Sequence, residues 1–97
     1  MVLVNLQIKV KQGFETEYLE AIDKVLPDTR SFEGCHAVYN GVNHTGSGDF
    51  EIISKWESKE QYDKYLDWRK ETGVLDDFAK YFESEPVWRF IDLKSEF

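Results

Sequence analysis

This chain has little of the residues that build cross-links, metal cages or basic surfaces. One cysteine, Cys35, excludes an internal disulfide and fits a reducing compartment. Its neighbour His36 does not make a metal pair with it, because adjacent residues of a strand point to opposite faces. The other histidine, His44, falls in a stretch that reads as a loop. Twelve lysines and arginines are scattered among nineteen carboxylates, for a net charge of -7, so no basic stripe exists to follow a phosphate backbone. Nucleic acid is not an expected partner. The longest apolar run, Met1 to Val4, has no basic leader before it and falls far short of the ~18 residues a membrane helix needs. A soluble cytoplasmic protein with no membrane partner is expected.

What the chain does have is aromatic mass. Aromatic residues make up 15% of its 97 positions and hydrophobic ones 41%, a high ring content for a core of this size. The whole of 1–97 reads as one domain without repeats, linkers or low-complexity tracts. Val2, Val4, Leu6, Ile8 and Val10 alternate with more polar residues, the pattern of a strand with one apolar face. Lys11-Gln12-Gly13 turns the chain. Phe14, Tyr18, Ile22, Val25 and Leu26 then recur at helical spacing, with Pro27 expected to kink or end that helix. Cys35 to Val42 and Asp49 to Trp56 read as strands joined by a hairpin loop over Asn43 to Gly48. Gly46-Ser47-Gly48 is expected to be a turn and no phosphate cradle, since a strand follows it where a cradle needs a helix N-terminus.

Ser58 with Gln61 has the form of a capping box, which starts a second helix from Lys59 to about Arg69. Gly73 is expected to interrupt the helical region, with Leu75, Phe78, Ala79 and Phe82 forming a further stripe beyond it. Pro86 opens a last strand in which Val87, Arg89, Ile91 and Leu93 share one face and Trp88, Phe90 and Asp92 the other. The order is β-α-β-β-α-β, an α+β ferredoxin-like unit with two helices over one face of an antiparallel sheet. Large apolar groups on both faces of the last strand make a second copy, packed sheet to sheet, the economical cover for the open face.

The chain resembles an antibiotic biosynthesis monooxygenase domain. The resemblance covers almost all of it and rests on Lys11-Gln12-Gly13, Glu33-Gly34-Cys35, Trp56-Glu57-Ser58 and Glu85-Pro86, in that order and spacing. It implies a dimeric α/β barrel, in which two ferredoxin-like subunits associate as a homodimer. It also implies a cofactor-independent enzyme, with neither metal nor flavin, that oxidises a small phenol or quinol with dioxygen. In a family member acting on an aromatic polyketide, the Trp of Trp-Glu-Ser and a Tyr six positions later contact the substrate. Here those positions hold Trp56 and Tyr62, the implied catalytic residues. The same enzyme uses an Asn where this chain has Ile52, and an Arg where it has Asp76 and Asp77.

The chemistry needs donors more than nucleophiles, because an electron-rich phenolate can pass an electron to dioxygen once its anion is favoured and water excluded. Tyr65 offers a hydroxyl, and Arg69, one turn further along the same helix, offers a fixed charge. Trp68 and His36 complete the candidate substrate-binding set, His36 as a base for a phenol. Arg89 is another available cation. Each ring residue can equally be plain packing, so a non-catalytic small-molecule-binding or assembly module on the same fold is the rival reading. Some relatives in the wider superfamily bind and degrade haem through an axial histidine from the second helical region. No histidine follows His44 in this chain. An RNA-recognition domain shares the strand order but displays basic and aromatic residues on a Gly-rich third strand, a pattern absent from Asp49 to Trp56.

Overall fold

A computed structural model describes residues 1–45 and 49–97. The turn expected at Gly46-Ser47-Gly48 lies outside the described residues. The elements are β1 (Val2–Lys9), α1 (Glu15–Ser31), β2 (Cys35–Val42), β3 (Asp49–Trp56), α2 (Lys59–Glu71), α3 (Val74–Phe78) and β4 (Val87–Asp92), with a short 3-10 turn at Ala79–Tyr81. The four strands form one antiparallel sheet in the order β2-β3-β1-β4, which is the ferredoxin-like arrangement.

Register divides the sheet into two unlike faces. Val2, Val4 and Ile8 of β1 stand opposite Trp56, Ser54 and Phe50 of β3, and all six are buried beneath the helices. Trp88 and Phe90 of β4 pair with Leu6 and Val4 and so share that covered face. The opposite face carries Leu3, Ile53, Tyr39, Val87 and Ile91. Tyr39, Val87 and Ile91 are exposed there.

The buried side chains form two clusters. One gathers Tyr18 and Ile22 of α1 against Ile8, Phe50 and Ile52, with Phe78 and Tyr81 closing over them. The other sets Trp56 and Tyr62 against Val2, Val4 and Cys35. In the stretch after Gly73, Tyr81 takes the core position expected for Ala79, which is exposed. The reason is the change from α to 3-10 geometry at Ala79, which tightens the turn and rotates Tyr81 inward.

Two local devices depart from the sequence reading. Pro27 does not end α1. The helix runs one more turn to Ser31, since the bond lost at Pro27 involves the carbonyl of Asp23 on the exposed side. The capping box at α2 forms by half: Ser58 Oγ accepts the backbone N–H of Gln61 at 3.2 Å. The Gln61 side chain instead lies against Gly34, where a Cβ would stand 2.8 Å from Gln61 Cβ. Gly34 has φ +90°, and its carbonyl accepts the N–H of Glu57 at 2.8 Å. This contact ties the start of β2 to the end of β3. Gly73, at φ +79°, is the left-handed break between α2 and α3.

Candidate active site

Four side chains of α2, Tyr62, Tyr65, Leu66 and Arg69, recur at helical spacing on the face turned to the sheet. The last turn of α1, beyond Pro27, brings Thr29 to meet them. Between these helices and strands β1 and β3 lies a cavity of about 70 Å³. It sits at the seam between the two clusters, with Val4 and Tyr62 from one and Ile8, Ile22, Ile52 and Phe78 from the other. Val74, Leu75 and Phe82 close one end and Trp88 borders Tyr62.

Arg69 governs the electrostatics. Its residue is only 4% exposed, yet among the described residues no carboxylate lies within 4.0 Å of its guanidinium. Neutral oxygens hold it instead. Nε donates to Tyr65 Oη at 3.0 Å, and Nη2 donates to the Val25 carbonyl at 2.7 Å and to Thr29 Oγ1 at 3.0 Å. The cation also lies 4.6 Å from the Trp68 ring centre and 5.3 Å from that of Tyr65, where ring faces favour positive charge. Nη1 has no acceptor among the described residues. A buried charge compensated only by dipoles costs several kcal/mol, roughly, against one paired with an anion. An anion placed beside the guanidinium would offset that cost.

The hydroxyls around the cavity follow one pattern. Tyr65 Oη and Thr29 Oγ1 lie 2.6 Å apart, and each already accepts an N–H of Arg69. Tyr62 Oη accepts the indole N–H of Trp88 at 2.8 Å. Ser54 Oγ accepts that of Trp56, also at 2.8 Å. Burial pushes the Tyr62 hydroxyl well above the ordinary tyrosine range, only partly offset by the Trp88 hydrogen bond, so it stays a neutral donor.

The candidates from the sequence are thus divided. Tyr62, Tyr65 and Arg69 meet at the cavity. Trp56 does not reach it: the residue is fully buried, and its one polar atom is committed to Ser54. Its ring packs at 5.3 Å from Tyr62 and 5.1 Å from Tyr65, supporting both from behind. Trp68 packs on Phe32 and under the guanidinium, away from the lining. His36 is on the surface, 2.7 Å from Glu57 Oε2, and takes no part in the cavity. Arg89 pairs with Asn5 across the opposite face of the sheet. Asp76 and Asp77 are exposed, whereas Ile52 lines the cavity and keeps that wall apolar. Among the described residues, no group of three or more His, Cys, Asp or Glu could hold a metal.

Sequence reading missed Thr29 and Ser54. Thr29 extends the stripe of Tyr18, Ile22 and Val25 by one further turn, a signal hidden by the expectation that Pro27 would stop the helix. Ser54 is the one hydroxyl among the inward residues of β3, standing between Ile52 and Trp56.

The sequence profile of the family described as antibiotic biosynthesis monooxygenase matches residues 1–83. The chain belongs to that family. Solved structures of the same fold include an antibiotic biosynthesis monooxygenase, 18% identical with a TM-score of 0.85, covering 98% of this chain and 100% of that one. A conserved protein from Methanosarcina mazei Go1 is 13% identical at a TM-score of 0.86, over 96% and 92% of the two chains. A variant of MhuD, crystallised with two manganese protoporphyrin IX molecules per active site, is 12% identical at 0.83, over 100% and 98%. At these identities the likeness shows the fold alone. No curated protein matches the chain. Among the described residues no helix is long and apolar enough to cross a membrane.

Proposed function

We propose that this family member binds a small, apolar, conjugated anion beside Arg69 and oxidises it with dioxygen, as a cofactor-independent monooxygenase of phenol- or quinol-type compounds. The observation that carries this reading is the buried Arg69 guanidinium without a carboxylate, set at the polar end of an otherwise apolar cavity. Conversion of a phenol to a quinone balances without an external reductant. One atom of dioxygen enters the ring, the other leaves as water, and the substrate supplies all the electrons. The chain would bind the anion through Arg69, Tyr65 and Tyr62 and exclude water with Leu6, Ile52 and Phe78. Trp56 and Trp68 act as positioning residues, the first behind Tyr62 and Tyr65 and the second beneath Arg69.

The cavity is smaller than the ~150 Å³ apolar space that holds benzene. A ring therefore enters by displacing the wall formed by Val74, Leu75 and Phe78, which follows the break at Gly73. We set haem aside, although Tyr62 and Tyr65 carry hydroxyls of a kind that can ligate iron. The lining offers no histidine, cysteine or methionine to iron, and the space is far too small for the macrocycle. We also propose a homodimer through the open sheet face, where Tyr39, Val87 and Ile91 are 64%, 53% and 39% exposed.

The rival reading, binding without turnover, is favoured by the want of a proton acceptor among the cavity's lining residues. Oxygen uptake with a panel of hydroquinones and hydroxyquinones separates the two. Catalysis predicts uptake by the wild type that falls at least about tenfold in Arg69→Met, the worth of a hydrogen bond to a charged group. Ligand binding with no uptake from any member of the panel would leave only the binding module.

A further inference from the structure

The polar end of the cavity contains donors and no base. The lining residues from β1, α1, β3, α3 and β4 bring only aliphatic, aromatic or hydroxyl side chains, and the titratable and charged groups that face the space are Tyr62, Tyr65 and Arg69, all from α2. Among the described residues, no carboxylate, imidazole or amine lines the cavity to remove a proton.

Hydrogen counting sharpens this. Tyr65 Oη and Thr29 Oγ1 share one hydrogen between them, whichever of the two donates, so one hydroxyl hydrogen is left over. Both oxygens already accept from Arg69, so neither serves as an acceptor for a ligand as readily as that hydrogen serves as a donor. Tyr62 accepts from Trp88 and likewise keeps its own hydrogen free. With the Arg69 guanidinium on the lining, the site thus offers a ligand hydroxyl donors and a positive charge.

We infer that the cavity selects an oxygen acid that arrives already ionised: the enolate of a conjugated ring ketone, a vinylogous acid with two acceptor oxygens, in preference to a simple phenol. The inference rests on the monooxygenase reading for one clause only, that the ligand be an enolate that can be oxidised, since a carboxylate cannot give up electrons in the same way. Its core, a preformed anion, stands on the donor count and the buried cation.

The test uses tropolone, a single-ring vinylogous acid that ionises near neutrality, with its neutral ether 2-methoxytropone and with phenol, by calorimetry on the full chain. Tropolone affinity should rise about tenfold per pH unit while the ligand titrates and level off above that range. The ether and phenol should bind at least about thirtyfold more weakly at neutral pH. Arg69→Met should lose a similar factor and flatten the profile, and the ether arm gives the same answer with no variant needing to fold. Equal binding of the ether would overturn the inference, because the cation would then be unused. So would phenol bound as tightly as tropolone with release of its proton to the buffer. Absence of oxygen uptake from every substrate would sink the oxygenase reading while leaving the tropolone result intact. Turnover of simple phenols as fast as of acidic enols would do the reverse.

Discussion

The indole N–H of Trp56 ends on Ser54 Oγ, 2.8 Å away and two residues earlier on the same face of β3. Within one strand, a ring that looks catalytic by its place in Trp-Glu-Ser is instead occupied in satisfying a hydroxyl at the edge of the cavity. Trp56 supports the site and Ser54 meets the space.

Trp56→Phe should therefore act on stability first. It removes the donor to a buried oxygen and leaves a void where the indole was fully packed, for a loss of about 2 to 3 kcal/mol in urea denaturation. Tropolone affinity should change by less than about threefold, well within a hydrogen bond's worth. Adding Ser54→Ala should recover part of the loss, since the stranded hydroxyl goes with it. A large fall in affinity at unchanged stability would place Trp56 in contact with the ligand.

Tyr18 gives the opposite sign. Its hydroxyl is fully buried and has no partner among the described residues, so Tyr18→Phe should stabilise the protein by about 1 kcal/mol at neutral pH. Burial raises both Tyr18 and Tyr62 above the ordinary tyrosine value of ~10. The stability from keeping them neutral is fully present below that value. As pH climbs past it toward the higher folded values, the unfolded chain ionises first and the folded state loses ground, at most about 1.4 kcal/mol per pH unit for each group. The advantage of Tyr18→Phe over the wild type should widen above pH ~10 in urea titrations. A constant gap would mean that Tyr18 ionises equally easily in the fold.

Two glycines with similar positive φ, +90° at Gly34 and +79° at Gly73, separate steric from conformational cost. Gly73→Ala meets nothing within 4 Å, so only the left-handed backbone is strained, by roughly 1 to 2 kcal/mol. Gly34→Ala has the same strain and a clash with Gln61 at 2.8 Å. Its thermal midpoint should fall clearly further than that of Gly73→Ala. Gln61→Ala in the Gly34→Ala background should close only part of the difference, because Cγ and Cδ are removed while the nearest clashing atom, Cβ at 2.8 Å, remains. Equal midpoints for the two single variants would show that Gln61 moves aside at no cost.

Much of this was legible because it depends on neighbours in sequence. Alternation along Val2 to Val10 and along Asp49 to Trp56 fixes which residues face inward, and that order of elements implies the sheet. Tyr62, Tyr65 and Arg69 could be placed on one helix face for the same reason. The same local rules failed at Pro27, where the exposed side of α1 tolerates a missing hydrogen bond, and at Gln61, whose side chain packs on Gly34 in the turn before β2.

The sequence by itself determined the elements, their order, and the identity of the one cation on the inner face of α2. Only the tertiary structure decided that this cation meets Thr29, forty positions away, and a carbonyl of α1 in place of any carboxylate. Spacing along a helix dictates the direction in which a side chain leaves, through the fixed rotation per residue. What it meets depends on how two helices pack over one sheet, a balance of burial across the whole domain that no local window contains.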